Sequence, residues 1–186
     1  MYHMCDFEGT EPGNSGVFMN IVILDDHPIV RHGLKALIEG AGSHRVVAEF
    51  EHPDEALEWM LGNDVDVFIV DLSLSDGLAL GLISRIKKDL PELPILVVSM
   101  HESSLYADRS RQCGASGYLM KHEATDQVIG AIEALGQGKS WFAESGSESE
   151  GGGLEDLSNR EIEIFELLGR GESTRAIADS LGLSIK

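Results

Sequence analysis

Basic residues are scarce in this chain: 14 Lys and Arg stand against 32 Asp and Glu, for a formal net charge of −18. A nucleic-acid footprint normally needs a basic patch, so this balance argues against non-specific binding of polyanions. Cysteine is scarcer still. Cys5 and Cys113 are too few and too far apart for a disulfide framework or a cysteine metal motif, and a reducing cytosol is the natural compartment. No run of about 18 apolar residues is present, so no membrane span is expected. The first residues lack the basic and apolar regions of a secretory signal. The histidines are scattered, none of them in the His-Glu-x-x-His spacing of zinc proteases.

What the chain does have is a set of short apolar runs, each closed by a polar residue. Ile21-Val22-Ile23-Leu24 ends in Asp25 and Asp26, and Val67-Phe68-Ile69-Val70 ends in Asp71. Ile95-Leu96-Val97-Val98 ends in Ser99, and Gly117-Tyr118-Leu119-Met120 ends in Lys121. Amphipathic segments separate these runs, which reads as βα repeats and a parallel sheet. Pro28 suits the first turn of a helix whose apolar face is Val30, Leu34, Leu37 and Ile38. A second strand is expected at Arg45 to Phe50, and Pro53 opens a second helix with Ala56, Leu57 and Met60 inward. The third and fourth helices fall near residues 78–89 and 103–113, and Val128, Ile129, Ile132 and Leu135 mark the fifth.

In an open α/β sheet, ligands bind beyond the carboxyl ends of the strands, so carboxylates ending neighbouring strands converge on one crevice. Their repulsion calls for a cation. Oxygen-only ligands suit Mg²⁺, which is usually completed by a substrate phosphate. A hydroxyl and an ammonium at the next strand ends are suited to phosphoryl oxygens. Taken singly, a strand-end Asp is more often a cap or turn former, and a lone Lys is a solvated charge. In register together, they point to phosphoryl chemistry.

The order Asp-Asp, Asp, Ser, Lys on the first, third, fourth and fifth strands closely resembles the receiver domain of two-component response regulators, over about residues 19–139. The resemblance implies a doubly wound, five-stranded parallel α/β sheet of flavodoxin-like type. It implies that Asp71 is the phospho-acceptor, taking its phosphoryl group from a sensor histidine kinase. Asp26 would be a direct Mg²⁺ ligand, Asp25 would act mostly through water, and the backbone carbonyl of Ser73 would complete the shell. Ser99 and Lys121 would contact the phosphoryl group. Tyr118, three residues before Lys121, resembles the family's aromatic switch, and homodimerisation on phosphorylation is implied with it. The chain departs from the family pattern after Asp71: Ser75 and Ala79 stand where relatives often have Pro and Gly, so a less rigid loop is expected. Ser73 and His101, two residues beyond Asp71 and Ser99, are expected to influence the lifetime of the phosphate.

Outside this unit, residues 1–18 are acidic and glycine-rich with no Lys or Arg, a lead-in expected to be disordered. Residues 140–153 are expected to form a linker, of which 144–153 read Glu-Ser-Gly-Ser-Glu-Ser-Glu-Gly-Gly-Gly. Trp141 and Phe142 are expected to fold back on the domain edge. Ser158 and Glu161 then make a capping box before an apolar stripe of Ile164, Leu167 and Leu168. Gly169 and Gly171 stop that helix, and Ser173 caps another through Ile177, Ala178 and Leu181. Residues 154–186 resemble the start of the all-α helix-turn-helix domain of NarL/LuxR-class regulators. Ser184 resembles the cap of the base-reading helix, yet only Ile185 and Lys186 follow, so the expected segment is a truncated one and DNA is a partner only if that helix is present.

The first reading is therefore a cytoplasmic NarL/LuxR-type response regulator that controls transcription. A phosphorylation-controlled protein-interaction switch without DNA binding is the alternative. A free-standing phosphatase with an aspartyl intermediate is disfavoured, because Asp71 is followed two residues later by Ser73 rather than by a second Asp.

Overall fold

The computed structural model describes residues 18–75, 77–101, 104–143, 157–169, 171–181 and 183. The expected lead-in up to residue 17 and the Gly/Ser/Glu stretch of the expected linker lie outside them, as does Ser184. In chain order the elements begin with β1 (Met19–Leu24), α1 (Pro28–Gly40), β2 (His44–Phe50), α2 (Pro53–Met60) and β3 (Val67–Asp71). A short pair, β4 (Ser73–Leu74) and β5 (Gly77–Leu78), precedes α3 (Leu80–Asp89) and β6 (Ile95–Ser99). There follow α4 (Ser104–Gln112), β7 (Gly117–Met120), α5 (Ala124–Gly136), α6 (Asn159–Gly169) and α7 (Thr174–Ser180).

Five strands pair in parallel in the order β2-β1-β3-β6-β7. The apolar runs are continuous because helices cover both faces of the sheet. Alternation along each strand divides them between two cores. Ile21, Ile23, Val67, Ile69, Leu96 and Val98 pack with Leu34 and Ile38 of α1 and with Val128, Ile132 and Leu135 of α5. Val22, Leu24, Phe68, Val70, Ile95 and Val97 pack with Ala56, Leu57 and Met60 of α2 and with Ile83 and Ile86 of α3. The chain leaves β1 for the outer strand β2 and returns past it to β3. The crevice at this switch point opens at the carboxyl ends of β1 and β3.

The segment after Asp71 is more tied down than its composition implied. Ser73 pairs with Leu78 and Leu74 with Gly77 in an antiparallel hairpin, and Ala79 N donates to Leu72 O at 2.8 Å. Gly77 takes a φ of 117°, which a side chain rarely adopts, and Leu72 and Leu74 are buried beneath. At the other side of the sheet Trp141 forms a parallel bridge to Gly117, its N donating to Ser116 O and its O accepting from Tyr118 N at 2.7 Å. A Cβ at Gly117 would lie 3.0 Å from Trp141 O, so glycine permits this close approach. The bridge covers the open edge of β7. It also means that the first residues of the expected 140–153 linker are hydrogen-bonded to the sheet.

His44 starts β2 with 3 % of its surface exposed, and neither ring nitrogen has a hydrogen-bond partner. Burial holds its imidazole below the ordinary histidine value, against the opposing pull of Glu133. The folded state then binds fewer protons than the unfolded one below about pH 6.5, so stability falls as the pH drops through that value. Thermal melts are expected to show a lower Tm at pH 5.5 than at pH 7, with a shallower decline in His44→Leu. An equal decline in both proteins would remove His44 as the cause.

In the last segment the capping box forms as expected: Ser158 N donates to Glu161 Oε2 at 2.7 Å and Glu161 N to Ser158 Oγ at 3.3 Å. Ser173 Oγ likewise accepts from Ala176 N at 3.2 Å, and Arg160 donates to Leu181 O. Ile162, Ile177, Ala178 and Leu181 are buried, whereas Leu168 of the expected stripe is exposed together with Phe165 and Leu183. Among the described side chains of α6, the most buried, Ile162, lies about half a turn before the first residue of that stripe.

Candidate functional site

Asp25, Asp26 and His27 make the turn from β1 into α1. His27 N donates to Asp25 Oδ1 at 2.8 Å, the self-bonding turn that Asp favours. His27 O accepts from Val30 N and Arg31 N, and Pro28 opens the helix where no N–H is needed. Arg31 Nη1 donates back to Asp25 O at 2.5 Å, so the turn is held from the helix as well. A second such turn follows β3, where Ser73 N donates to Asp71 Oδ1 at 3.2 Å. Lys121 follows β7 and its backbone N donates to Ser99 O at 2.7 Å.

These turns bring three strand ends to one point. Lys121 Nζ lies 2.8 Å from Asp25 Oδ2 and 2.6 Å from Asp71 Oδ2. Asp25 and Asp71 are buried, with 1 % and 3 % exposed. Burial pushes the Asp71 carboxyl up, and the Lys121 ammonium opposes that shift. For Lys121, burial disfavours the charge, but its bonds to Asp25 and Asp71 outweigh burial and hold the ammonium above its usual range. His27 Nδ1 is 2.7 Å from Asp26 Oδ1 and 3.3 Å from Asp25 Oδ1. Three carboxylates face one ammonium, and like charges about 4 Å apart repel by about 4 kcal/mol at an effective dielectric constant of about 20. A pocket with that excess attracts a small, highly charged cation.

Ser99 and Tyr118 connect to this cluster through His101. Ser99 Oγ accepts from His101 N at 3.0 Å, and the Tyr118 hydroxyl donates to His101 O at 2.8 Å. His101 Nε2 is 2.9 Å from Ser73 Oγ, and its ring lies 4.5 Å from that of Tyr106. Tyr118 is buried, with its hydroxyl on the backbone of His101.

A family model for the response regulator receiver domain matches residues 21–133, and one for bacterial regulatory proteins of the luxR family matches residues 155–186. The chain belongs to the response regulators. It is 32% identical over 186 residues to the oxygen regulatory protein NreC of Staphylococcus epidermidis, covering 90% of this chain and 85% of NreC. It is also 32% identical to the transcriptional regulatory protein UhpA of Salmonella typhimurium over 169 residues, again with 90% and 85% covered. Among solved structures, the non-phosphorylated receiver domain of RcsB from Escherichia coli superposes with a TM-score of 0.63 at 32% identity, over 68% of this chain and 98% of that one. This response regulator therefore joins a receiver to a LuxR-type helix-turn-helix segment and acts in phosphorylation-dependent control of transcription.

The receiver fold brings together Asp25, Asp26, Asp71 and Lys121, all singled out by strand-end position or by resemblance, and ties Ser73 to Asp71 through its backbone N. Two contributors escaped that reading. Arg31 was not singled out, and its place about one turn into α1 lets it reach back to the strand end. His27 was one of the scattered histidines, and only its ring orientation reveals Nδ1 beside Asp26. No helix among the described residues is long and apolar enough to cross a membrane.

Proposed function

We propose that Asp71 accepts a phosphoryl group from a phosphohistidine of a sensor histidine kinase. Asp25, Asp26, Asp71 and the Ser73 carbonyl would hold Mg²⁺. The observation that carries this reading is the buried Asp71 carboxylate sharing one ammonium, Lys121, with the neighbouring carboxylate Asp25. An Asp71 oxygen attacks phosphorus as the phosphorus–nitrogen bond of the donor breaks, and an acyl phosphate forms. Lys121 is placed to follow the new phosphoryl oxygens, and the Ser99 hydroxyl to donate to one of them. Mg²⁺, when bound, neutralises charge on those oxygens. The fit is supported by the excess of three carboxylates over the single Lys121 ammonium and by the hard oxygen character of those carboxylates. The protein catalyses only its own phosphorylation and dephosphorylation.

Output then passes from a receiver at residues 19–139, through the linker, to the helix-turn-helix segment at 154–186. The family matches at 21–133 and 155–186 support that division. Homodimerisation on phosphorylation, DNA as target and a cytoplasmic location complete the reading. A solved structure of two RcsB dimers bound to two parallel DNAs, 31% identical over 89% of this chain with a TM-score of 0.63, supports the first two.

Mg²⁺ binding to the folded protein alone raises stability, by about 2.7 kcal/mol when the ion stands at about a hundred times its Kd. Wild-type Tm is expected to rise by several degrees in excess Mg²⁺. Asp26→Ala should lose that gain, and Ser99→Ala should keep it. If Asp26→Ala gains as much as wild type, the cation is not held where we place it.

A further inference from the structure

A second recess lies at the amino ends of the strands, opposite the end that holds Asp71. A cavity of about 430 Å³ opens between the carboxyl ends of α2 and α3, with Met60, Val65, Leu90 and Leu93 as its apolar floor and Asp66, Asp89 and Glu92 on its rim. Met60 and Leu93 are buried, and the three carboxylate residues are exposed. The volume falls within the range of about 300 to 1,000 Å³ usual for binding sites. Among the described residues, no Lys, Arg or His lines it. We infer that this groove docks a basic segment of another protein, which lays one long apolar side chain on the floor and sets flanking Lys or Arg against the rim.

The fold alone gives no reason for the charge on this rim. Asp89 ends α3, where the helix dipole is negative and an acidic side chain is disfavoured. Because α2 also ends at the cavity, with no basic residue in its last turn, two helix ends add their partial negative charges to three carboxylates. Asp66 accepts from Asn20 N through Oδ2 at 2.7 Å, and none of the three carboxylates is ion-paired with another described residue. Lys87 and Lys88 in the last turn of α3 offset part of this charge, but neither lines the cavity. The Lys87 ammonium is taken up by Pro91 O at 3.0 Å and Leu93 O at 2.6 Å. Carboxylates left facing water around an apolar floor complement a cation carried on an apolar body. A second copy of this chain is a poor occupant, since each copy carries a net charge of −18. A protein docked at this end of the sheet leaves the strand ends at Asp71 open.

The blocked tripeptide acetyl-Arg-Trp-Arg-amide serves as the probe, titrated into the whole 186-residue chain and followed by methyl NMR. Shifts are expected at Met60, Val65, Leu90 and Leu93, and the affinity should fall as salt is added, because the rim charges are exposed. The double variant Asp89→Asn, Glu92→Gln should bind the probe about fivefold more weakly, as two exposed ion pairs of ordinary strength would give. Both changes lie on the surface and leave the core intact. The acidic control acetyl-Glu-Trp-Glu-amide should leave these methyls unmoved, and acetyl-Arg-Ala-Arg-amide should bind several-fold more weakly than the probe. Asp71→Asn should bind the probe as wild type does, which separates this site from the phosphotransfer reading. The inference is overturned if the probe leaves the four side chains unmoved, if the acidic control binds as tightly, or if the double variant binds as wild type does. Shifts of the same methyls with protein concentration alone would overturn it in favour of a second copy.

Discussion

Asp71→Asn is expected to abolish phosphorylation of this response regulator by acetyl phosphate in the presence of Mg²⁺, with a loss on the order of 10³ or more in rate, a conservative figure for removal of a nucleophile. The substitution keeps the shape of the side chain and removes its nucleophilic oxygen. Lys121 retains Asp25 as a partner at 2.8 Å, so the strand ends stay together and circular dichroism should be unchanged. Asp25 is 1 % exposed and already engaged by His27 N, which leaves it badly placed to substitute as acceptor. Intact-mass spectrometry reads the result. Phosphate gained by Asp71→Asn at the wild-type rate would sink the assignment. The same chemistry carries a pH dependence. Attack needs the carboxylate, and burial raises the Asp71 value above the usual Asp range. In the metal-free protein the Asp71 carboxyl should therefore take up its proton at a higher pH than an ordinary Asp, as an NMR titration of its side-chain carbon would read.

A polypeptide of these 186 residues is expected to show no sequence-selective DNA binding, phosphorylated or not, whereas one continued by a base-reading helix should gain it. In a helix-turn-helix the second helix of the motif carries the side chains that reach base edges, and the helix before it crosses the backbone. The resemblance to the NarL/LuxR helix-turn-helix implies that α6 and α7 are the helices before the reader, whose cap it puts at Ser184. Counterion release offers little in compensation: from residue 154 on there are seven acidic and four basic residues, a net charge of −3. Two short helices also bury little surface, with Phe165, Leu168 and Leu183 exposed. The contrast should be large, since specific sites are commonly bound about 10³ to 10⁷ times more tightly than random DNA. Selection from a random duplex library at moderate salt measures it. Enrichment of one sequence by the 186-residue polypeptide would refute the expectation. Failure of the continued chain to enrich any would favour a protein-interaction output instead.

Much of the receiver was legible because its signals are local. A strand buried on both faces must be an apolar run, and a polar residue that closes such a run marks a strand end; Asp25, Asp71, Ser99 and Lys121 all occupy those places. Helix faces are equally local. Leu34 and Ile38, or Ala56, Leu57 and Met60, recur at helical spacing and are buried together. The capping box of Ser158 and Glu161 spans three residues and formed as read. The hairpin after Asp71 was not legible in this way. Its four residues pair across a turn, and Ser75 and Ala79, in place of Pro and Gly, hid a closure made by backbone bonds rather than by residue type.

The amino-acid order by itself determined which residues end the strands, which faces of the helices are apolar, and that acidic groups would meet a hydroxyl and an ammonium at one end of a parallel sheet. These are consequences of period and position along the chain, set by covalent geometry and hydrophobic burial. The tertiary structure alone decided how those groups meet. Lys121 is shared between Asp25 and Asp71 because β1, β3 and β7 end at the same level. Arg31 ties the first turn from within α1, Trp141 closes the edge of β7, and His27 aims Nδ1 at Asp26 rather than at solvent. Contacts of this kind join residues far apart in the chain or depend on the rotation of a single side chain. No periodicity encodes them, and they exist only once the sheet has brought its strand ends within a few ångströms.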